Sequence, residues 1–301
     1  MYFYPAPAKL NLFLHIIGRR PDRYHELQTV FQLTDYCDEL AFTLRRDSQI
    51  NCTCLSLFNS TTEAIIPDEA NLAIKAARLL QAKTKNQPGV DILIKKRIPI
   101  GGGLGGGSSN AATTLVVLNH LWNTGLRLHE LLSLGATLGA DIPVFIGGES
   151  SWAEGIGEKL QTLQLPEKWF MVMVPRLSIS TKKIFSHPQL TYNTTRIKIQ
   201  AFLNGSLTTR NDFEPIVRQD YPVIEEALSF LNHYAPARLS GTGACVFAAF
   251  DTKTEAEVVL EKIKAPYQGF VCKGLTTSPL RKIRALYSKL SDEFEFEGNM
   301  K

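Results

Sequence analysis

Pro99-Ile-Gly-Gly-Gly-Leu-Gly-Gly-Gly-Ser-Ser-Asn-Ala-Ala112 is the stretch that decides the reading of this chain. Six of the seven residues from Gly101 to Gly107 are glycine, which frees the backbone to adopt φ > 0 and to approach a ligand closely. A helix-like run from Asn110 to Trp122 follows, with Ala111, Leu115, Leu118 and Trp122 on one face. A loop of this kind feeding a helix start aims unpaired N–H groups and the positive end of the helix dipole at one spot. That spot takes an anion, and a nucleotide phosphate fits best. The plain alternative is a flexible linker, but linkers seldom run straight from an amphipathic strand into an Ala-rich amphipathic helix.

Upstream, Val90 to Ile100 alternates, with Val90, Ile92, Ile94, Ile98 and Ile100 in phase. Two familiar phosphate loops match poorly. Gly101-x-Gly103-x-x-Gly106 formally satisfies the dinucleotide fingerprint, yet the preceding strand carries Lys95, Lys96 and Arg97 and ends in Pro99. No acidic residue closes a second strand about 20 positions on. In the Walker A spacing, Ser108 stands where the lysine must be. Protein-kinase His-Arg-Asp and Asp-Phe-Gly elements are missing. A bound triphosphate must draw its balancing cation from elsewhere, and Lys9 is the candidate.

Working outward, Lys9 to Ile16 alternates as a half-buried strand, with Lys9, Asn11, Phe13 and His15 on one face. Arg19-Arg20-Pro21-Asp22-Arg23 signals a turn. Tyr24–Leu33 and Glu39–Leu44 read as separate strands, and residues 59–70 as loop. Asn71–Ala82 and His129–Leu138 read as helices, the first capped by Asn71 or Asp68, the second ended by Gly139. Residues 146–151 read as a hinge. Beyond it come a strand at Trp169–Val174, a helix at Val223–Tyr234, strand–turn–strand over Arg238–Phe247, a helix at Thr254–Lys264 and a strand at Gly269–Lys273. Alternating strands mixed with helices predict an α+β fold. We expect two domains, 1–150 and 151–301, with a frayed acidic tail from Ser291.

The 301 residues are 44% hydrophobic and 21% charged, the balance of a globular chain. A net charge of +4, evenly spread, argues against nucleic acid as a partner. No run approaches the roughly 18 apolar residues of a membrane span, and Leu10–Ile17 makes a poor signal peptide. Five cysteines, with no zinc-type pair of pairs, fit reduced thiols and a cytoplasmic setting. Cys52 and Cys54 would share one strand face, where a two-residue metal clip is an improbable use. The expected partner is a small molecule, and the expected state a monomer or weak homodimer.

Several side chains have two readings on the residues alone. Asp141, in Ala140-Asp141-Ile142-Pro143, is a helix N-cap or a functional carboxylate, about evenly. Lys9 is a solvated lysine or the missing cation. Tyr24 and His25 read as plain strand residues, Phe185 as core, and Gly241 and Gly243 as a hairpin turn.

A resemblance shifts these readings. Pro99–Ala112 looks like the second motif of the GHMP kinases (galactokinase, homoserine, mevalonate and phosphomevalonate kinases). Pro7-Ala8-Lys9-Leu10-Asn11-Leu12 matches the first motif and Leu239-Ser240-Gly241-Thr242-Gly243-Ala244-Cys245-Val246-Phe247 the third, in the expected order. Lys9–Leu14, Tyr24-His25, the doubled triple glycine and Gly139–Phe145 narrow it to a member acting on a cytidine diphosphate-linked methylerythritol. The resemblance implies an N-terminal ribosomal-S5-domain-2-like lobe and a C-terminal ferredoxin-like lobe, with ATP, Mg²⁺ and substrate meeting between them. The implied reaction moves the γ-phosphate to the substrate's 2-hydroxyl. Pro99, Ile100, Gly101, Gly102, Gly103, Leu104, Gly105, Gly106, Gly107, Ser108 and Ser109 would wrap the ATP phosphates. Ser108 or Ser109 would also help hold Mg²⁺, whose direct ligands stay open. Lys9 and Asp141 would be catalytic. Asn11, Tyr24, His25, Thr181, Phe185, Gly241 and Gly243 would bind substrate, with Tyr24 and Phe185 stacking on cytosine, whereas His15 would be structural. One departure is Arg23, where the family usually has glycine, so this turn must manage without a glycine's positive φ. The other readings are a homoserine- or mevalonate-type kinase, which has no use for a nucleobase clamp, and a nucleotide sensor without turnover.

Overall fold

The computed structural model describes residues 1–22, 24–56, 69–85 and 87–287. Its strands are β1 (Tyr4–Arg19), β2 (His25–Leu44), β3 (Ile50–Ser56), β4 (Val90–Lys96), β5 (Ser151–Gly155), β6 (Lys159–Thr162), β7 (Trp169–Val174), β8 (Ala237–Leu239), β9 (Val246–Phe250) and β10 (Gln268–Leu275). Its helices are α1 (Leu72–Thr84), α2 (Gly106–Leu121), α3 (Leu128–Leu138), α4 (Ile142–Gly147), α5 (Thr181–Phe185), α6 (Ile199–Leu203), α7 (Glu214–Asp220), α8 (Pro222–Asn232) and α9 (Lys253–Leu260). Arg23, Asp68, most of the 59–70 loop and the tail from Ser291 lie outside the described residues.

The long strand β2 organises the molecule. β1 runs antiparallel along one of its edges, from Arg19 opposite His25 to Tyr4 opposite Leu40. The other edge is shared in succession by β5 at Leu27–Phe31, β10 at Leu33–Thr34 and β4 at Glu39–Leu44. Residues 24–44 therefore do not form the two separate strands expected. Asp35 and Asp38, which lie between the two expected strands, are satisfied in place. Asp35 accepts the Lys273 N–H (2.8 Å), and Asp38 accepts those of Arg97 (2.7 Å) and Ile98 (2.8 Å). A satisfied polar side chain removes the reason for the backbone to turn outward.

β1 differs from the half-buried strand its alternation predicts. Both faces are covered along most of its length. Ala8 and Leu10 join one apolar cluster, Leu14 and Ile16 another, and Phe13 a third. Helices α1 to α4 pack over β2, β3 and β4 in the first lobe's core.

The second lobe runs β7–α8–β8–β9–α9–β10 with strand order β10-β7-β9-β8, all antiparallel. This is the ferredoxin-like βαββαβ arrangement, and the α+β expectation holds. Its outer strand β10 reaches β2, so one sheet crosses both lobes. The boundary expected at residue 150 cuts through paired strands. β5 and β6 pair with β2 and with each other, so 151–162 belong with the first lobe. Nor is 146–151 a loose hinge: left-handed Gly148 caps α4, and Ser150 Oγ accepts the Leu33 N–H (2.8 Å) and donates to the Leu275 carbonyl (2.6 Å).

Two helix starts matter for the site. Asn71 caps α1, its Oδ1 accepting the Ala73 N–H at 3.0 Å. α2 begins at Gly106, four residues before the expected Asn110, because left-handed Gly105 (φ 72°) turns the chain directly into the helix. The glycine loop is thus shorter than the glycine run, and Gly106, Gly107, Ser108 and Ser109 are the helix's first turn. Among the described residues no helix is long and apolar enough to cross a membrane.

Candidate active site

The glycine loop is clamped from two sides. The Lys9 N–H donates to the Leu104 carbonyl (3.0 Å), tying the loop to β1. On the other side, Ala244 and Cys245 N–H donate to the Gly101 and Gly102 carbonyls (3.3 and 3.1 Å), and Ser240 Oγ donates to that of Gly103 (3.1 Å). The first and third motifs therefore hold the glycine-rich second one in place. A Cβ at Gly103 would lie 2.0 Å from the Ser240 carbonyl oxygen, at φ +75°, so this contact admits glycine alone. Buried Asn211 steadies the third motif by donating from Nδ2 to the Leu239 and Gly241 carbonyls (2.9 and 2.7 Å).

The first intrahelical bond of α2 runs from the Ser109 N–H to the Gly105 carbonyl (2.8 Å). The amides of Gly106, Gly107 and Ser108 precede it and stay available for an anion. They border a cavity of about 550 Å³, lined by Pro99 to Ser108, Lys9, Asn11, Asp141, Gly241 and Thr242. Ser109 lies just behind, its hydroxyl buried and without a partner among the described residues.

Lys9 and Asp141, 132 positions apart in the chain, meet here: Lys9 Nζ lies 3.5 Å from Asp141 Oδ2. The Lys9 side chain is buried, while that of Asp141 is about one-third exposed toward the cavity. Lys9 also donates to Asn11 Oδ1 (2.5 Å), and Asn11 Nδ2 donates to Thr29 Oγ1 (2.9 Å), which orients the Asn11 amide. Asp141 does occupy the N-cap position of α4, but its side chain makes no capping bond. The carboxylate is turned to Lys9 instead. A Cβ on Gly241 would come 3.5 Å from Lys9 Nζ, so this turn closes on the pair.

A second cavity, about 820 Å³, adjoins the first. The two share Leu27, Ala140, Ile156, Thr181 and Phe185, and the second adds Tyr24, His25 and Tyr192. Phe185 is fixed edge-on against Phe213 (4.7 Å) and faces the His25 ring (5.3 Å), whereas Tyr24 stands exposed at the rim. Burial, and then the Arg19 guanidinium, hold His25 below the ordinary histidine pKa, so its ring is neutral near pH 7. Thr181 Oγ1 and Thr242 Oγ1 are 3.1 Å apart and link the second cavity to the third motif.

Most of the expected residues converge here, and some do not. Gly243 lines neither cavity; a Cβ there would face Leu239 and Ile179. His15 also lies outside both cavities, buried beside Phe13. Cys52 and Cys54 share a face, sulfurs 3.9 Å apart, but no group of three or more metal-ligating side chains occurs among the described residues. Asn71, Leu72, Lys96 and Asn110 also line the first cavity, although the sequence reading assigns none of them a role in the site. Lys96 left a signal: it falls on the inward phase of β4 with Val90, Ile92 and Ile94, where a lysine needs a reason.

Fold and site together define a GHMP kinase. Residues 71–149 match the family model for the GHMP kinases N terminal domain, and residues 195–269 that for the GHMP kinases C terminal. The chain is 49% identical over 288 residues to the 4-diphosphocytidyl-2-C-methyl-D-erythritol kinase of Pseudomonas putida (strain W619), covering 95% of this chain and 98% of that one. A crystal structure of 4-(cytidine 5'-diphospho)-2C-methyl-D-erythritol kinase superposes with a TM-score of 0.77 at 30% identity, over 91% of this chain and all of that one. Mevalonate kinase of Methanococcus jannaschii shares the fold at 15% identity, with a TM-score of 0.65 over 91% of this chain and 98% of its own. The chain belongs to the 4-diphosphocytidyl-2-C-methyl-D-erythritol kinase family of the GHMP kinases.

Proposed function

We propose that this protein transfers the γ-phosphate of ATP to the 2-hydroxyl of 4-diphosphocytidyl-2-C-methyl-D-erythritol, giving ADP and the 2-phosphate. The observation carrying the reading is the Lys9–Asp141 pair at 3.5 Å, beside the seam of the two cavities. Relatives named for this reaction, 49% identical along nearly the whole chain, support it.

The triphosphate lies along Gly101–Ser108, held by loop amides and by the start of α2, whose dipole supplies the equivalent of roughly +0.5 charge. Asp141 receives the hydroxyl proton. A carboxylate is a weak base toward an alcohol. Phosphoryl transfer has a loose transition state, so the proton leaves late and orienting the hydroxyl counts as much as removing its proton. Lys9 favours the forming alkoxide and offsets charge on the moving phosphoryl group. Its burial strengthens that effect, and Asn11 keeps its ammonium aimed.

Cytosine sits in the second cavity between Tyr24 and Phe185, each stack worth about 1–3 kcal/mol. A backbone group at His25 reads the edge of the base. Asn11, Thr181 and the Gly241 turn line the path of the diphosphate toward the reacting hydroxyl. Mg²⁺ bound with the triphosphate screens its charge. The described residues offer no carboxylate cluster for the ion, so phosphate oxygens and the Ser108 or Ser109 hydroxyl would hold it; the partnerless Ser109 hydroxyl suits that use.

The test gives purified protein ATP and Mg²⁺ with the cytidylyl substrate, mevalonate or homoserine in turn, and follows ADP release. Release with the first alone is expected. Equal release with either of the others, or none with any, overturns the proposal.

A further inference from the structure

Asp38 lies in the middle of β2, outside both cavities, and is fully buried. Its carboxylate collects four donors. Oδ1 accepts the Arg97 and Ile98 N–H groups at 2.7 and 2.8 Å. Oδ2 accepts from Asn110 Nδ2 at 2.9 Å and is ion-paired with Lys96 Nζ. Lys96 also donates to Asn110 Oδ1 at 3.1 Å. All four donors come from residues 96–110, the segment that carries β4 through the glycine loop into α2.

Lys96 is the charged member of this cluster that, with Asn110, faces the ligand space. Its side chain is buried, yet it lines the first cavity. A Cβ at Gly106 would lie 3.1 Å from Lys96 Nζ, which puts the ammonium beside the first residue of α2. The two backbone amides hold Asp38 in one orientation, and Asp38 with Asn110 then holds the ammonium. A buried ammonium without a counter-ion is costly, so its place in the cavity depends on that carboxylate.

We infer that Asp38 is a positioning residue of the nucleotide site: it acts through Lys96 to keep a second cation, besides Lys9, at the start of α2 for ATP. This rests on the proposed ATP-dependent reaction. A general structural ion pair would support the whole fold. This one is wired to the glycine-loop segment and leaves the cytidine-side cavity untouched.

The test is Asp38→Asn, which keeps the shape. If its amide oxygen stays on the two backbone N–H groups, its NH₂ faces the donors of Lys96 and Asn110. KM for ATP is expected to rise about 10-fold to 100-fold, the loss of about one hydrogen bond to a charged group, with kcat and KM for the cytidylyl substrate little changed. Lys96→Met and the double variant Asp38→Asn/Lys96→Met complete a cycle. The double variant removes both charges, which is gentler than leaving one buried alone, and keeps the test alive if Asp38→Asn fails to fold. Its KM for ATP should match that of Lys96→Met. An ATP KM equal to the wild-type value in Asp38→Asn overturns the inference, as does a double variant showing the product of the two separate increases. Equal changes in all three constants overturn it too, because they mark a purely structural role. Wild-type protein inactive with ATP overturns the proposed reaction as well, whereas an active wild type with an indifferent Asp38→Asn overturns this inference alone.

Discussion

Asp141→Asn separates a catalytic carboxylate from a helix cap. A working N-cap is worth about 0.5–2 kcal/mol, but the Asp141 side chain makes no capping bond. Its ion pair with Lys9 spans 3.5 Å with the carboxylate one-third exposed, and Lys9 keeps Asn11 as a partner. Exposed pairs contribute about 0–1 kcal/mol, and removing one partner of a buried pair costs about 3–5 kcal/mol. With Lys9 buried but still bonded to Asn11 and Asp141 one-third exposed, the substitution should fall between them, at about 1–3 kcal/mol, a Tm shift of about 2–12 °C for a chain near this size. Activity should respond quite differently. Losing the group that orients and deprotonates the hydroxyl costs about 10²–10⁴ in kcat, or about 3–5 kcal/mol of barrier. ATP affinity should hold, since the amides of Gly106, Gly107 and Ser108 are untouched. ADP release at saturating substrates, a thermal melt and ATP binding by titration calorimetry measure the three quantities. Near-wild-type kcat combined with a clearly lowered Tm would refute the reasoning and return Asp141 to the role of a cap.

Gly103→Ala forces a Cβ to 2.0 Å from the Ser240 carbonyl at φ +75°. Strain and overlap together should cost about 2–5 kcal/mol in urea unfolding, and an unchanged midpoint would mean that the loop does not rest on the third motif. Tyr24→Ala, which removes an exposed ring at the rim of the second cavity, should raise KM for the cytidylyl substrate about 5-fold to 150-fold and leave KM for ATP alone; a large loss of ATP affinity would put Tyr24 on the wrong ligand. Burial holds His15, His25 and His120 below the ordinary value of 6.5. The folded chain then binds fewer protons than the unfolded chain once pH falls to about 6.5, so stability declines from there down through the folded values and is restored at neutral pH. Tm should drop between about pH 7.5 and about pH 5.5, and less steeply in His15→Gln; a Tm flat or rising over that interval would contradict the assignment.

Short-range information was legible in the sequence because it is enforced within a few residues. Alternation in Val90–Lys96, the continuous apolar run Trp169–Val174, the Asn71 cap, the glycine run and the three motifs all act through neighbours along the chain. Lys9 and Asp141 stand out because each sits in a compact motif that resembles the family's; on the residues alone Asp141 reads equally as a helix cap. Tertiary structure decided the rest, through groups far apart in sequence. Asp35 and Asp38 stay in one strand only because Lys273, Arg97 and Ile98 arrive to satisfy them. Residues 151–162 join the first lobe because β2 offers them an edge. Asp141 abandons its cap because Lys9 comes within 3.5 Å, and Lys96 points inward because buried Asp38 meets it there. Local pattern specifies which groups a segment carries and how its backbone runs; which charges are buried together depends on packing between segments 58 to 132 residues apart, and no neighbour in the chain records it.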